Sequence, residues 1–330
     1  MRVNFRMLVL VACLALLRLD DLALCVGLGI EGAAFTVDGK RQFLLGASYY
    51  GALGAPDEFI DRDLDDLKRL GFNWIRVWAT WDAFENNVSA VNPDGTAREP
   101  YLTKLKSLVR KADRRGMIVD VTLSRGKLLP DQASHLKAVE TLAKALKPYR
   151  NVYLDLANER DVRDARFVDF PELKALRDRV KATDAKRLVT ASGGVTRESL
   201  ARYLFEAALD FICPHGERRA GAAQETAERT REYLAWMKEL GRLVPLHYQE
   251  PFRRDYGRWQ PALEDFCTDL RNATIGGAAG WCFHNGSPRF PERSGPRRSF
   301  DMRPSYGRLI VQLDPVEREF LNRARSCTEP

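Results

Sequence analysis

The chain has 330 residues, 45% hydrophobic and 29% charged, enough to bury a full core and too apolar for a disordered segment. Its net charge of +7 is mild for this length, and Lys and Arg are interleaved with Asp and Glu rather than gathered in blocks. That pattern describes a solvated mixed-charge surface and argues against a nucleic-acid partner.

At the N-terminus, Arg2 and Arg6 precede an apolar run from Met7 to Leu17, which Arg18, Asp20 and Asp21 end. The run is too short to cross a hydrocarbon layer of roughly 30 Å. Basic residues followed by a short apolar segment fit a secretory signal over residues 1–25, with Ala23-Leu24-Cys25 as its end. A secreted or periplasmic chain with no stable membrane span is therefore expected. The remaining residues, 26–330, show no linker or low-complexity segment and read as one domain, expected as a monomer.

Next, "FTVDGKRQF" carries an Asp38-Gly39 turn and predicts a short β-hairpin. From there a short apolar run followed by a helical pattern recurs eight times. The runs are Phe43–Tyr50, Trp74–Trp81, Met117–Leu123, Val152–Leu156, Leu188–Ala191, Phe211–Cys213, Val244–Tyr248 and Ala278–Phe283. In "APDEFIDRDLDDLKRLG", Ile60, Leu64, Leu67 and Leu70 recur at helical spacing, Asp57 and Glu58 suit the positive end, and Gly71 suits the stop. "TKLKSLVRKADRRG" and "QETAERTREYLAWMKELG" read the same way. Strands apolar on both faces, alternating with helices, predict a parallel sheet covered by helices. Eight units predict a (β/α)8 TIM barrel with the hairpin across its bottom. An open doubly wound sheet is the competitor, but strand one runs into "GASYYGALGAPDE", which lacks its Gly-rich turn.

In a barrel, chemistry belongs to the C-terminal ends of the strands. Strand one ends in Tyr49 and Tyr50, strand three in Ser124 and Arg125, and strand four in Asn158 and Glu159. Strand six ends in His215, strand seven in Tyr248, Gln249 and Glu250, and strand eight holds Trp281, Phe283 and His284. Two carboxylates on this rim suit acid–base chemistry in which one holds a proton and the other stays ionised. Arg76 alternates with Ile75 and Val77, so it should point inward with Trp74 and Trp78. A guanidinium there needs a carboxylate partner, and Glu250 is the expected one. An aromatic rim suits a sugar, whose CH-rich faces pack on rings.

"FTVDGKRQFLLGASYYG", "LGFNWIRVWATW", "LDLANERD", "PLHYQEP" and "GAAGWCFHNG" resemble glycoside hydrolase family 5 and its clan of retaining barrel glycosidases, over about residues 32–285. The resemblance implies Glu159 as acid/base and Glu250 as nucleophile. It implies that Asn158 holds the substrate's 2-hydroxyl, that Arg76 orients the nucleophile, and that His215 and Trp281 line the subsite of the bond cleaved. The family's tyrosine contact to the nucleophile has Tyr248 or Tyr49 as candidates here. Two positions depart from the pattern: "VTLSRG" ends strand three where a His is usual, and "HGER" places Glu217 where a Tyr is usual. The implied partner is a β-linked glucan, mannan or related glycoside, with no cofactor and no metal.

Plainer readings stand beside these. Glu159 as an ion-pair partner of Arg160 or Arg163 needs no active site, and His215 reads equally as a core histidine. His247, of opposite parity to Glu250, is expected to face the helices. A carbohydrate-binding barrel without hydrolysis fits the missing strand-three and strand-six residues. A metal-dependent hydrolase using His215, His247 and His284 lacks the usual His-x-His after strand one. Without a C-x-x-C pair a structural zinc is not expected, and Cys267 with Cys282 is the pairing weighed for a disulfide.

Overall fold

The computed structural model describes residues 26–288 and 295–328. The expected signal segment, and part of the irregular loop after the last strand, lie outside the described residues. Eight parallel strands make the barrel: Leu44–Tyr49, Trp74–Trp78, Ile118–Thr122, Val152–Asp155, Leu188–Thr190, Cys213–Pro214, His247–Tyr248 and Gly280–Phe283. They fall on the eight apolar runs. Strand five resumes as Ser192–Gly193, the piece that pairs with strand six. Between strands six and seven, Ile212 N donates to Pro245 O at 3.0 Å and His247 N donates to Ile212 O at 2.9 Å. Strand eight returns to strand one, with Gly280 opposite Leu44, and the ring closes.

The outer layer follows from the same alternation. Ile75 and Val77 face outward into a cluster with Ile60, Leu64 and Leu67 of helix Asp57–Arg69, all buried. Burying each such side chain contributes roughly 1.5–3 kcal/mol before entropy is subtracted. Asp57 and Glu58 in the first turn and Lys68 and Arg69 in the last complement the helix dipole.

Inside, the floor is aromatic. The N-terminal strands Leu28–Glu31, Ala34–Val37 and Lys40–Arg41 form a small antiparallel sheet, turning at Asp38 and Gly39 with φ of 51° and 75°. This sheet inserts Phe35 against Phe211, with centroids 5.0 Å apart, and against His247 at 5.5 Å. Trp74 lies 4.5 Å from His247 and stacks on Tyr153. Gly46 makes this possible, since a Cβ there would fall 1.7 Å from the Trp74 ring. His247 therefore points into the barrel, not toward the helices as its parity suggested.

The chain ends with helix Pro315–Cys327, whose Phe320 packs on Phe266, Trp281 and Phe283. Cys327 is disulfide-bonded to Cys267 of helix Leu263–Gly276. The pairing of Cys267 with Cys282 does not form. Cys282 is a free thiol turned inward, its Sγ 3.5 Å from Ser48 Oγ, whereas Cys267 belongs to the helical layer outside the wall. Among the described residues no helix is long and apolar enough to cross a membrane.

Candidate active site

Arg76 anchors the rim. It points inward from strand two and is fully buried. Nη1 donates to Glu250 Oε1 at 2.6 Å, and Nη2 donates to Asp155 Oδ2 at 2.9 Å and Asn158 Oδ1 at 2.8 Å. Nε donates to Thr122 Oγ1 at 3.0 Å and lies 3.2 Å from Asp120 Oδ2. Burial, with Asp155 adding to it, pushes the Asp120 carboxyl well above the usual range, although Arg76 opposes this. The carboxyl partners of Arg76 are Asp120, Asp155 and Glu250. A guanidinium this deep is tolerable only with such partners.

Glu250 follows strand seven. Beyond Arg76 it accepts from Arg218 Nη2 at 2.9 Å and from the Tyr50 hydroxyl at 3.3 Å. Burial alone would raise its pKa, but His215, Arg76 and Arg218 outweigh that and hold it well below the usual carboxylate range. Burial and the charge of Glu250 push the Tyr50 hydroxyl up, so it remains a protonated donor. Its oxygen lies 2.8 Å from His284 Nε2, which Arg253 Nη1 also approaches at 3.3 Å. Arginine can only donate, so that nitrogen carries the lone pair, and the one Tyr50 proton is shared between it and Glu250. Burial keeps His284 neutral.

Glu159 stands across from Glu250, on the turn that leaves strand four. Its φ of 49° lies in a region few non-glycine residues occupy. One oxygen pairs with Arg166. Neither arginine weighed as its plain partner does so: Arg160 donates inward to Val168 O at 2.7 Å, and Arg163 covers the Phe167 ring. Burial raises the pKa of Glu159 and Glu250 adds to that, but His215 and Arg166 prevail and lower it. His215 Nδ1 lies 3.8 Å from Glu159 Oε1 and 3.8 Å from Glu250 Oε2. One oxygen from each glutamate and one His215 ring nitrogen fall within 4.8 Å of one another.

Aromatic rings line one side. Tyr50 stacks on Trp78 at 5.2 Å and meets Trp81 at 4.7 Å and Phe300 at 4.6 Å. Trp78 Nε1 is buried with no hydrogen-bond partner among the described residues. From Trp78 and Trp81 a cleft of about 640 Å³ runs past Phe84 and Arg125 to Arg166. That is large enough for a few sugar rings.

The structure brings together Glu159, Glu250, Arg76, Asn158 and His215. It turns away Tyr49, Tyr248 and Trp281. Tyr49 donates to Asp63 of the first outer helix at 3.0 Å, the Tyr248 hydroxyl lies 2.8 Å from Thr230 Oγ1, and Trp281 Nε1 donates to Asp269 at 2.7 Å. All three are on the outward face of their strands and serve the helical layer. The tyrosine at Glu250 is Tyr50, one residue on from Tyr49. Arg125, in the place of the strand-three histidine, is tied back to Glu172 and His135, and Glu217 pairs with Arg219 and Arg229. The three histidines of the metal-hydrolase reading do not converge, since His247 is in the floor. A cation held by Glu159, His215 and Glu250 would face Arg76, Arg166 and Arg218 on the same carboxylates.

No family model matches this sequence, and no curated protein does. Solved structures do match it. A protein described as a glycoside hydrolase shares 17% identity at a TM-score of 0.66, over 91% of this chain and 74% of its own. A family 5 glycoside hydrolase from Bacteroides vulgatus ATCC 8482 shares 16% at a TM-score of 0.61, over 79% of this chain and 61% of its own. An endo-1,4-beta-D-mannanase from Thermotoga petrophila RKU-1 shares 16% at a TM-score of 0.60, over 86% of this chain and 99% of its own. The chain thus has the barrel found in glycoside hydrolases, family 5 enzymes and mannanases among them.

Proposed function

We propose that this chain is a retaining glycoside hydrolase cleaving β-linked glycosides of glucan or mannan type by double displacement. The observation that carries this reading is the approach of Glu159 and Glu250, with an oxygen of each inside 4.8 Å. Retaining pairs are roughly 5–5.5 Å apart, whereas inverting pairs leave roughly 6.5–9.5 Å for a water. Mannanases among the structural matches support the substrate class.

In this mechanism Glu250, kept ionised by Arg76, attacks the anomeric carbon. Glu159 gives a proton to the departing oxygen, then takes one from the water that releases the glycosyl group. Arg76 and Ser192 both donate to Asn158 Oδ1, at 2.8 and 3.2 Å, so its Nδ2 is left to donate to a sugar hydroxyl. Its N-terminal segment and its Cys267–Cys327 bond support a secreted or periplasmic chain.

Aryl glycosides with activated leaving groups test the roles. Glu250→Ala should react with none of them. Glu159→Ala should give a burst of aryl release followed by a slow phase that azide accelerates, yielding a β-glycosyl azide. Equal and complete inactivity of both variants on activated substrates would refute the assignment. A Glu250→Ala chain that binds oligosaccharide as the wild type does, beside a wild type that cuts none, would favour the binding-barrel reading.

A further inference from the structure

The rim holds more positive charge than the proposed reaction needs. Arg76 already pairs with Glu250, yet Arg218 also binds that carboxylate and Arg166 binds Glu159. Arg253 adds a third extra guanidinium. It rests 5.0 Å from the Tyr256 ring centroid and 5.1 Å from that of Phe300, and its hydrogen bond is to the neutral His284. Among the described residues it has no carboxylate partner, and its Nε is buried without a hydrogen bond. Arg218 covers the same Tyr256 ring at 4.2 Å, and its charge acts on Arg253. Arg253 is half-buried, and partly desolvating a cation with no carboxylate beside it is costly unless something else supplies the counter-charge.

A general acid must carry a proton, and His215 and Arg166 lower the pKa of Glu159. An anion arriving with the substrate sets a negative charge against the guanidiniums on this side of the rim and moves that carboxyl toward the acid form.

We propose that the glycan bound here carries an anionic group beside the scissile bond, a uronate carboxylate or a sulfate ester, received by Arg253 and Arg218 next to Tyr256. This rests on the glycosidase reading for the bond cut, but not for the charge recognised. Guanidinium forks suit both oxyanions, with charge-assisted and often bidentate hydrogen bonds.

Thio-linked β-oligosaccharides, which resist hydrolysis, test it by calorimetry on the full chain in three matched sets: neutral, uronate-bearing and sulfated. At least one anionic set should bind about tenfold or more tighter than the neutral set, the effect of one charge-assisted contact. In Arg253→Gln the ratio of anionic to neutral affinity should fall toward one, and Arg253→Lys should recover part of it. Which anionic set wins identifies carboxylate or sulfate. Equal or tighter binding of the neutral set overturns the proposal, as does no binding by any set or a preference that survives Arg253→Gln. The oxygen-linked counterparts keep the two readings apart. An acidic glycan bound but never cut defeats the hydrolase, whereas neutral glycans cut without preference defeat the anion site alone.

Discussion

Trp74 and Arg76 are successive inward positions on strand two, equally buried, and they belong to different worlds. Around Trp74 the floor is closed by Tyr153, His247 and the neighbouring Phe35 and Phe211, rings packed edge to face and stacked, with His247 Nε2 3.1 Å from the Tyr153 hydroxyl. Around Arg76 the rim gathers Asp120, Asp155, Asn158 and Glu250, groups that satisfy one another by charge and hydrogen bonds. Rings can fill a barrel completely and stop. Charges at an open end leave atoms facing the cleft. The difference shows how one alternation gives stability at one end of a barrel and chemistry at the other.

Substitutions on strand two divide the two ends. Arg76→Ala should cost turnover roughly 10²–10³-fold and stability about 3–5 kcal/mol, because three carboxyls lose their shared cation. Trp74→Ala should cost stability alone, about 3–5 kcal/mol by denaturant unfolding, with turnover per folded molecule little changed. If Trp74→Ala loses turnover as Arg76→Ala does, the division between floor and rim fails.

The comparison extends to buried carboxylates. Glu250 lies under two guanidiniums, whereas Asp269, outside the wall, has among the described residues only Thr226 and Trp281 as donors. Burial, which those donors only partly offset, pushes Asp269 up to about 6. A folded-state pKa above the unfolded value means stability is fully present below about 4 and is lost as pH rises toward 6. The loss from this group should be on the order of 3 kcal/mol, visible as a wild-type unfolding midpoint that falls relative to that of Asp269→Asn across this window. The smallest effect concerns Glu159. A lowered pKa leaves this acid deprotonated earlier, so kcat/KM on poor leaving groups should decline as pH rises from the acid side. Arg166→Gln removes one lowering charge and should move that decline to higher pH. An unmoved or downward-moved limb would mean that Arg166 does not govern this carboxyl.

The sequence showed the barrel because its strands are apolar on both faces and its helices are amphipathic. It showed Arg76 because a charge in mid-strand has a definite parity. Asp120 in "IVDVT" and Asp155 in "VYLD" carry the same kind of signal on adjacent strands. Parity failed where strands end. Tyr49, Tyr248 and Trp281 continue the outward face, while Tyr50 and His284 lie on the inward one. After Tyr248 both Gln249 and Glu250 turn inward, to Asp120 and Arg76, so counting from Glu250 misplaces His247. Arg166, Arg218 and Arg253 come from loops, where no periodicity exists to point them at a site.

A 2-deoxy-2-fluoro glycoside with a good leaving group, built on a sugar the chain cleaves, should label it, since fluorine slows release of the glycosyl group more than its attachment. Peptide mapping by mass spectrometry should then find the sugar esterified to Glu250 and nowhere else. Label on Glu159 would reverse the roles. Turnover that leaves no label and releases a first product of inverted configuration would contradict double displacement at this pair.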